Sequence, residues 1–291
     1  MIALFDQGRY LEAEIAARAL TERHPASNFG WKAWGSVLVR QNRHAEALPK
    51  LLEARRLAPE DSDCLNTLGT ALQKLGHQRE AQECFERAIA LRPGFALAHN
   101  NLGTLFSDLG RFDAAIDCFD RALASDPESV EAHANRGLAL RARGRIAEAL
   151  AAYDRIIALR PEAIEVLNKR AILLQSLGRL DEAMADLERV LTLSPDHADA
   201  WTNRGNLLKD QGRLVEARAA YRRALESRPE SLEAWHNTLL ASNYQSDVSR
   251  EQVFAAHRDF ARHLGAKVIR LPSPVARDRD PARAAVRHDG A

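Results

Sequence analysis

Small, bulky and polar residues follow one another along this chain in a pattern that returns every 34 residues. Residues 64–93 read CLNTLGTALQKLGHQREAQECFERAIALRP and residues 99–127 read HNNLGTLFSDLGRFDAAIDCFDRALASDP. Gly69 and Gly103, Gly76 and Gly110, Ala81 and Ala115, Phe85 and Phe119, Ala88 and Ala122, and Pro93 and Pro127 each stand 34 residues apart. A fixed period of this length decides the fold before any local reading does. The first small residue recurs as Gly35, Gly69, Gly103, Gly137, Ala171 and Gly205. A second glycine recurs as Gly8, Gly76, Gly110, Gly144, Gly178 and Gly212, and an alanine as Ala13, Ala47, Ala81, Ala115, Ala149, Ala183 and Ala217. A proline closes each unit, from Pro25 through Pro59, Pro93, Pro127, Pro161 and Pro195 to Pro229.

The recurring residues predict two helices per unit, A and B. The first glycine or alanine lets the two helices approach closely. The second glycine supplies the positive φ that ends helix A and starts the turn. The alanine sits on helix B where a larger side chain would hold the helices apart. Phe85, Phe119, Tyr153 and Tyr221 supply bulk between repeats,. Proline ends helix B because it cannot continue the hydrogen-bond ladder. The pattern resembles the tetratricopeptide repeat over residues 1–240. That resemblance implies an all-α fold, a helix-turn-helix solenoid wound as a right-handed superhelix.

In chain order, residues 1–27 read as a partial first repeat in which Leu4 and Phe5 remain of the core face of helix A. Six full units follow over 28–231, each stacking on the next because none buries its apolar face alone,. Residues 232–265 depart from the period. Trp235 stands where Trp31 and Trp201 stand in their units, but no turn glycine follows. Ser249 and Gln252 have capping-box spacing, opening a helix through Val253, Ala256, Phe260 and Leu264 to a stop at Gly265. This C-terminal helix is expected to cap the stack. Residues 266–291, with Pro272, Pro274 and Pro281 in a charged run without aromatics, are expected to be disordered,.

Composition narrows the function. The chain has 291 residues, 46% hydrophobic and 28% charged, with a net charge of +1. That profile predicts a soluble protein without the basic footprint of a nucleic-acid partner. Mean hydropathy is −0.36, and no apolar run is long enough for a membrane span. The first ten residues turn polar too soon for a secretory signal, so a cytoplasmic location is expected. Cys64, Cys84 and Cys118 form no CxxC pair, and Cys84 and Cys118 hold the same place in adjacent units as small apolar fillers,. His99 and His133 lie one repeat apart with no further ligand beside them, so packing histidines are expected and no metal or cofactor is.

The candidate site is a row on the A helices, two residues before the first small residue. It reads Ala33, Thr67, Asn101, Asn135, Lys169, Asn203 and Asn237, with Asn66, Asn100, Asn168 and Asn206 nearby. An asparagine offers an amide donor and a carbonyl acceptor, matching the acceptor and donor of a peptide backbone. The row therefore predicts a groove that holds an extended protein or peptide segment, making the chain a non-enzymatic interaction scaffold. The lysine–asparagine pair of chaperone-tail clamps is missing at Lys32/Ser36, Asn66/Thr70 and Asn100/Thr104. The asparagine row and AHNNLG (98–103) resemble the repeat arm of the O-linked N-acetylglucosamine transferases. Residues 236–264, with Leu239, Leu240, Asn243, Tyr244, Ala256 and His257, are similar to that family's junction ahead of its catalytic domain. The resemblance implies an alternative, a substrate-recognition arm without the transferase, since no glycine-rich phosphate loop or alternating strand–helix pattern is present. In that family the histidine at the place of His257 faces the sugar nucleotide. Oligomeric state is left open. So are Arg136, Arg170 and Arg204, which replace Leu68 and Leu102 just before the small residue and suggest either ion pairs to an adjacent helix or an anion site.

Overall fold

The computed structural model describes residues 4–5, 7–243 and 250–265. The expected Ser249–Gln252 capping box, Tyr244 and the tail 266–291 lie outside the described residues. Every regular element described is an α-helix. The repeats give α1 (Tyr10–Arg23), α2 (Asn28–Arg40), α3 (His44–Leu57), α4 (Ser62–Lys74), α5 (Gln78–Leu91), α6 (Ala96–Asp108) and α7 (Phe112–Ser125). They continue as α8 (Val130–Ala142), α9 (Ile146–Leu159), α10 (Ile164–Ser176), α11 (Leu180–Leu193), α12 (Ala198–Asp210) and α13 (Leu214–Ser227). Helices α14 (Leu232–Asn243) and α15 (Arg250–Gly265) follow. The chain divides between Leu193 and Ser194 into two compact units. The first holds α1–α11 and the second α12–α15.

Helix A of each repeat ends the way its sequence predicts. At α6, the Gly110 N–H bonds to the Ser107 carbonyl and the Arg111 N–H to the Phe106 carbonyl. Gly110 sits at φ 72° to allow it. This pairing satisfies two carbonyls that the helix end would otherwise leave open. At the corresponding place after α2 the sequence has Asn42, which takes φ 60°. Asparagine is the residue after glycine that best tolerates this region.

Close helix approach at the first small residue is equally literal. A Cβ placed on Gly103 would lie 2.6 Å from the Phe119 ring, and one on Gly69 would lie 2.6 Å from the Phe85 ring. Tyr153 and Tyr221 close over Gly137 and Gly205 in the same manner. The fifth full repeat solves the problem differently, with Ala171 opposite the smaller Leu187, both buried. In the first unit each A helix packs on its own B helix and on the preceding one. Successive A helices also touch, α2 with α4, α4 with α6, and α6 with α8, so they line the inner side of the stack. In the second unit α15 packs on α14, with Phe260 against Trp235 at 5.9 Å between ring centroids.

A recurring latch ties five of the A helices to the proline before them, the exceptions being α4 and α10, where Leu65 and Leu167 stand in its place. The ring N–H of Trp31 reaches the Pro25 carbonyl at 2.9 Å, that of Trp201 reaches Pro195 at 2.7 Å and that of Trp235 reaches Pro229 at 2.9 Å. His99 and His133 take the same place, each Nε2 lying 2.9 Å from the carbonyl of Pro93 or Pro127. A carbonyl can only accept, so both histidines carry their proton on Nε2. They are structural, as the sequence suggests.

Asp61 caps α4 and joins it to α2. It accepts from the Cys64 N–H at 3.0 Å, from Asn28 Nδ2 at 3.0 Å and from Lys32 Nζ at 2.6 Å. Burial alone favours the neutral acid, but Lys32 and the backbone N–H groups outweigh it and hold the carboxyl below its ordinary value. A folded value below the unfolded one means a stabilisation complete above the unfolded range and lost as pH falls through the folded value. Asp61→Asn is expected to cost about 1 kcal/mol at neutral pH, with the gap to the native chain closing below about pH 4. Urea midpoints at pH 7 and pH 3 check this.

Candidate functional site

The inner face of the A helices carries the asparagine row, and the structure sorts its members by role. Asn66 and Asn100 are buried, at 5% and 4% exposure. Asn101 and Asn135 are half-buried. Asn101 Nδ2 donates to Asn66 Oδ1 at 2.9 Å and reaches Thr70 Oγ1 at 3.5 Å. One repeat on, Asn135 Nδ2 donates to Asn100 Oδ1 at 3.1 Å and reaches Thr104 Oγ1 at 3.4 Å. Asn100 Nδ2 in turn donates to Glu131 at 3.0 Å. The asparagines are therefore linked from repeat to repeat. Their amide donors are turned into the stack, while Asn101 Oδ1 and Asn135 Oδ1 receive no donor among the described residues.

The second unit has its own version. Asn237 Nδ2 donates to Asn206 Oδ1 at 2.9 Å, and the same oxygen accepts from the Tyr221 hydroxyl at 2.9 Å. Asn203 is half-buried and already engaged, and Asn168 is buried and engaged. Other polar groups of the A helices are also joined across repeats. Gln73 on α4 donates to Asp108 on α6 at 2.8 Å.

The Tyr221 bond exposes a mismatch two repeats earlier. Tyr153 is buried in the corresponding place, and its hydroxyl has no hydrogen-bond partner. The position equivalent to Asn206 is Leu138 there, which offers no acceptor. A buried unpaired hydroxyl costs about 1–3 kcal/mol, whereas a made bond contributes about 1. Tyr153→Phe is thus expected to stabilise the chain by about 1 kcal/mol, and Tyr221→Phe to destabilise it by about the same. Urea denaturation of the two variants should give shifts of opposite sign.

Two of the three arginines, Arg136 and Arg170, pair with carboxylates of neighbouring helices, and the third stacks within its own helix. Arg136 Nε on α8 donates to Asp120 on α7, sixteen residues back. Arg170 on α10 grips Asp186 on α11 with two bonds, at 2.8 and 2.6 Å, and also reaches Asp154 on α9. The two carboxylates raise the Arg170 guanidinium above its ordinary value, Asp186 foremost. Arg204 lies over the Trp201 ring at 5.6 Å from its centroid. The sequence carried the signal for the pairs, acids sixteen residues to either side, but only the stacked geometry gives that spacing meaning.

Other chemistry is sparse. The three cysteines are free and buried. Burial pushes the Cys64 thiol up to about 12 and the Cys118 thiol up to about 11, and raises Cys84. Among the described residues no group of three or more His, Cys, Asp or Glu side chains is placed to hold a metal. No described helix is long and apolar enough to cross a membrane. His257 is exposed on α15.

Comparison with known proteins agrees with the fold. Models of the tetratricopeptide repeat match residues 29–94, 84–117, 101–164 and 168–231. No curated protein matches the chain by sequence. Among solved structures, YrrB, described as a tetratricopeptide repeat protein with an unusual peptide-binding site, is 22% identical. It covers 64% of this chain and 96% of its own, with a TM-score of 0.57. PilF of Pseudomonas aeruginosa is 19% identical over 74% of this chain and 97% of its own, with a TM-score of 0.63. The C-terminal part of a repeat protein from Cytophaga hutchinsonii is 15% identical over 80% and 96%, with a TM-score of 0.64.

Proposed function

The chain belongs to the tetratricopeptide repeat family, and on that premise we propose that it is a protein-interaction scaffold holding an extended peptide segment along the inner face of its first unit. The observation that carries this reading is the pair of half-buried asparagines, Asn101 and Asn135. Each is fixed by a bond to the preceding repeat and each keeps its carbonyl oxygen without a donor. Fixed acceptors one repeat apart suit the N–H groups of an extended backbone, and the bonds that hold them lower the cost of ordering on binding. This sharpens the expectation from sequence, in which each asparagine offered both donor and acceptor. Recognition of main-chain groups selects conformation more than sequence. YrrB, which shares the fold, is described as having an unusual peptide-binding site, and this supports a peptide as the class of partner without bearing on the face.

The test is binding of random-sequence peptides to the native chain and to a variant carrying Asn101→Ala, Asn135→Ala, Asn203→Ala and Asn237→Ala. The reading expects capture of unrelated extended peptides by the native chain and its loss in the variant, with helicity retained. Equal capture by both would move the site to another face.

A second reading follows from residues 236–264, which resemble the junction of the O-linked N-acetylglucosamine transferases. On this reading the repeats are a substrate arm that presents a protein to a transferase, and exposed His257 on α15 marks the side toward the sugar nucleotide. The chain alone should then turn over no UDP-N-acetylglucosamine. Turnover by the pure chain would contradict it.

A further inference from the structure

We infer that the groove has a side-chain-selecting end: a pocket beside α2 and α4 that takes one bulky, uncharged apolar side chain of the bound segment. This rests on the inner-face reading above and adds what that reading leaves out, a source of sequence preference. The starting observation is where the asparagine row fails. The row has no amide at Ala33 and Thr67, and these two residues line a single cavity of about 290 Å³. The row does not merely lapse there. Its polar atoms give way to an apolar recess in continuous register with Asn101 and Asn135.

The walls of the recess are Phe5, Phe29, Ala33 and Val37. Phe29 is 42% exposed, and the same place is held by Asp63 in the next repeat, Leu97 in the one after and Glu131 beyond it, so Phe29 is the aromatic among them. Phe5 is held edge-on by Tyr10, with 5.7 Å between ring centroids. The polar residues at the margin are already satisfied. Thr67 Oγ1 donates to the Asp63 carbonyl at 2.9 Å, and Ser36 Oγ donates to the Lys32 carbonyl at 2.9 Å. Lys32 is paired with Asp61 at 2.6 Å and Asp63 with Arg92 at 2.7 Å. Both charges that line the recess are thus paired, and the Arg40 guanidinium nearby lies over the Phe5 ring at 5.9 Å from its centroid, so the occupant that fits is neutral. A leucine, isoleucine or phenylalanine side chain fits within that volume, and its burial would drive binding through lost apolar surface,. A small residue at position 33 is what keeps the recess open.

The pocket can be tested apart from the asparagine row. Ligand-observed NMR on the full chain would use N-acetyl-phenylalaninamide and N-acetyl-leucinamide, with N-acetyl-serinamide as the polar control. The two apolar amides are expected to receive saturation from the protein and the serine amide not. Ala33→Trp, which fills the recess, and Phe29→Ala, which removes a wall at an exposed site, should each abolish the signal without lowering the urea midpoint. Equal signals from all three amides, or signals that survive both substitutions, overturn the pocket.

A random dodecapeptide library supplies the second arm. Selected peptides should carry one bulky apolar residue toward one end, and its replacement by alanine should weaken binding about 10- to 100-fold. In Ala33→Trp that preference should vanish. In Asn101→Ala with Asn135→Ala all peptides should bind more weakly and the preference should remain. Amides that bind while no peptide does would sustain the pocket and sink the asparagine row. Peptides that bind without an apolar preference would do the reverse.

Discussion

Gly103→Ala is expected to lower the unfolding free energy by about 2 kcal/mol, although alanine is the better helix former by about 1 kcal/mol. The added Cβ would lie 2.6 Å from Phe119 Cε1 and 2.8 Å from Cδ1, and the ring is fully buried. A buried ring cannot swing away, so α6 and α7 must separate or Phe119 must leave its rotamer. Overpacking of this kind costs about 1–3 kcal/mol or more, enough to reverse the propensity gain. The fifth full repeat shows the remedy within the same chain, Ala171 opposite Leu187. Phe119→Leu alone should cost about 1–2 kcal/mol through the space it leaves. Adding Gly103→Ala to it should cost less than Gly103→Ala alone, because a leucine can turn its branches from the methyl as it does opposite Ala171. The leucine opposite Gly35, by contrast, sits where an added Cβ would lie 2.5 Å from its Cγ. Urea denaturation of the two singles and the double would give the coupling. Additive effects, or a stabilising Gly103→Ala, would show that the close approach does not constrain the stack.

Arg170→Met is expected to cost about 3 kcal/mol, because it strands the carboxylate of Asp186. That side chain is 6% exposed, and Arg170 donates a hydrogen bond to each of its two oxygens. Arg136→Met, by contrast, releases an Asp120 that is 49% exposed and should cost less than about 1 kcal/mol,. The two sites separate a buried pair from a solvated one on the same helix position. The third full repeat carries Leu102 and Cys118 where Arg170 and Asp186 stand, both buried. Arg170→Leu combined with Asp186→Cys should therefore regain most of what Arg170→Met loses, since replacing a buried pair with apolar partners is often neutral. Equal losses at Arg136 and Arg170 would mean that burial of the carboxylate does not set the penalty.

The repeats were legible because their strongest constraints are local in sequence. Gly103 and Phe119, or Gly137 and Tyr153, sit on the two helices of one unit, and the glycine–aromatic pair recurs in four of the six full units, so the period exposes it. The turn glycines are legible for the same reason, and Asn42 is an exception that keeps the backbone conformation. What stayed hidden depends on the packing between units. The Trp31, His99, His133, Trp201 and Trp235 column is visible in sequence, but its bond to a proline carbonyl follows from how the preceding helix B delivers that carbonyl. Arg170 lies between two B helices, and its choice of Asp154 and Asp186 needs the stack. The asparagine row was visible as a column, yet the direction of its bonds was not. Asn101 and Asn66 are 35 residues apart and meet only once two A helices lie side by side. Likewise Ala33 and Thr67 read as gaps in the row, and only the cavity they share gives the gaps a shape.

The central claim is that Asn101 and Asn135 accept hydrogen bonds from the backbone N–H groups of a bound peptide. The most direct measurement replaces single amides of a selected peptide with esters, one bond at a time, and compares calorimetric affinities for the native chain. An ester keeps the side chains and the extended shape but removes one N–H donor. Two positions should each lose about 5- to 10-fold in affinity, as expected for one hydrogen bond of about 1 kcal/mol. Those losses should disappear in Asn101→Ala and Asn135→Ala respectively. Ester scanning with no loss at any position, or losses indifferent to both asparagines, would contradict the account.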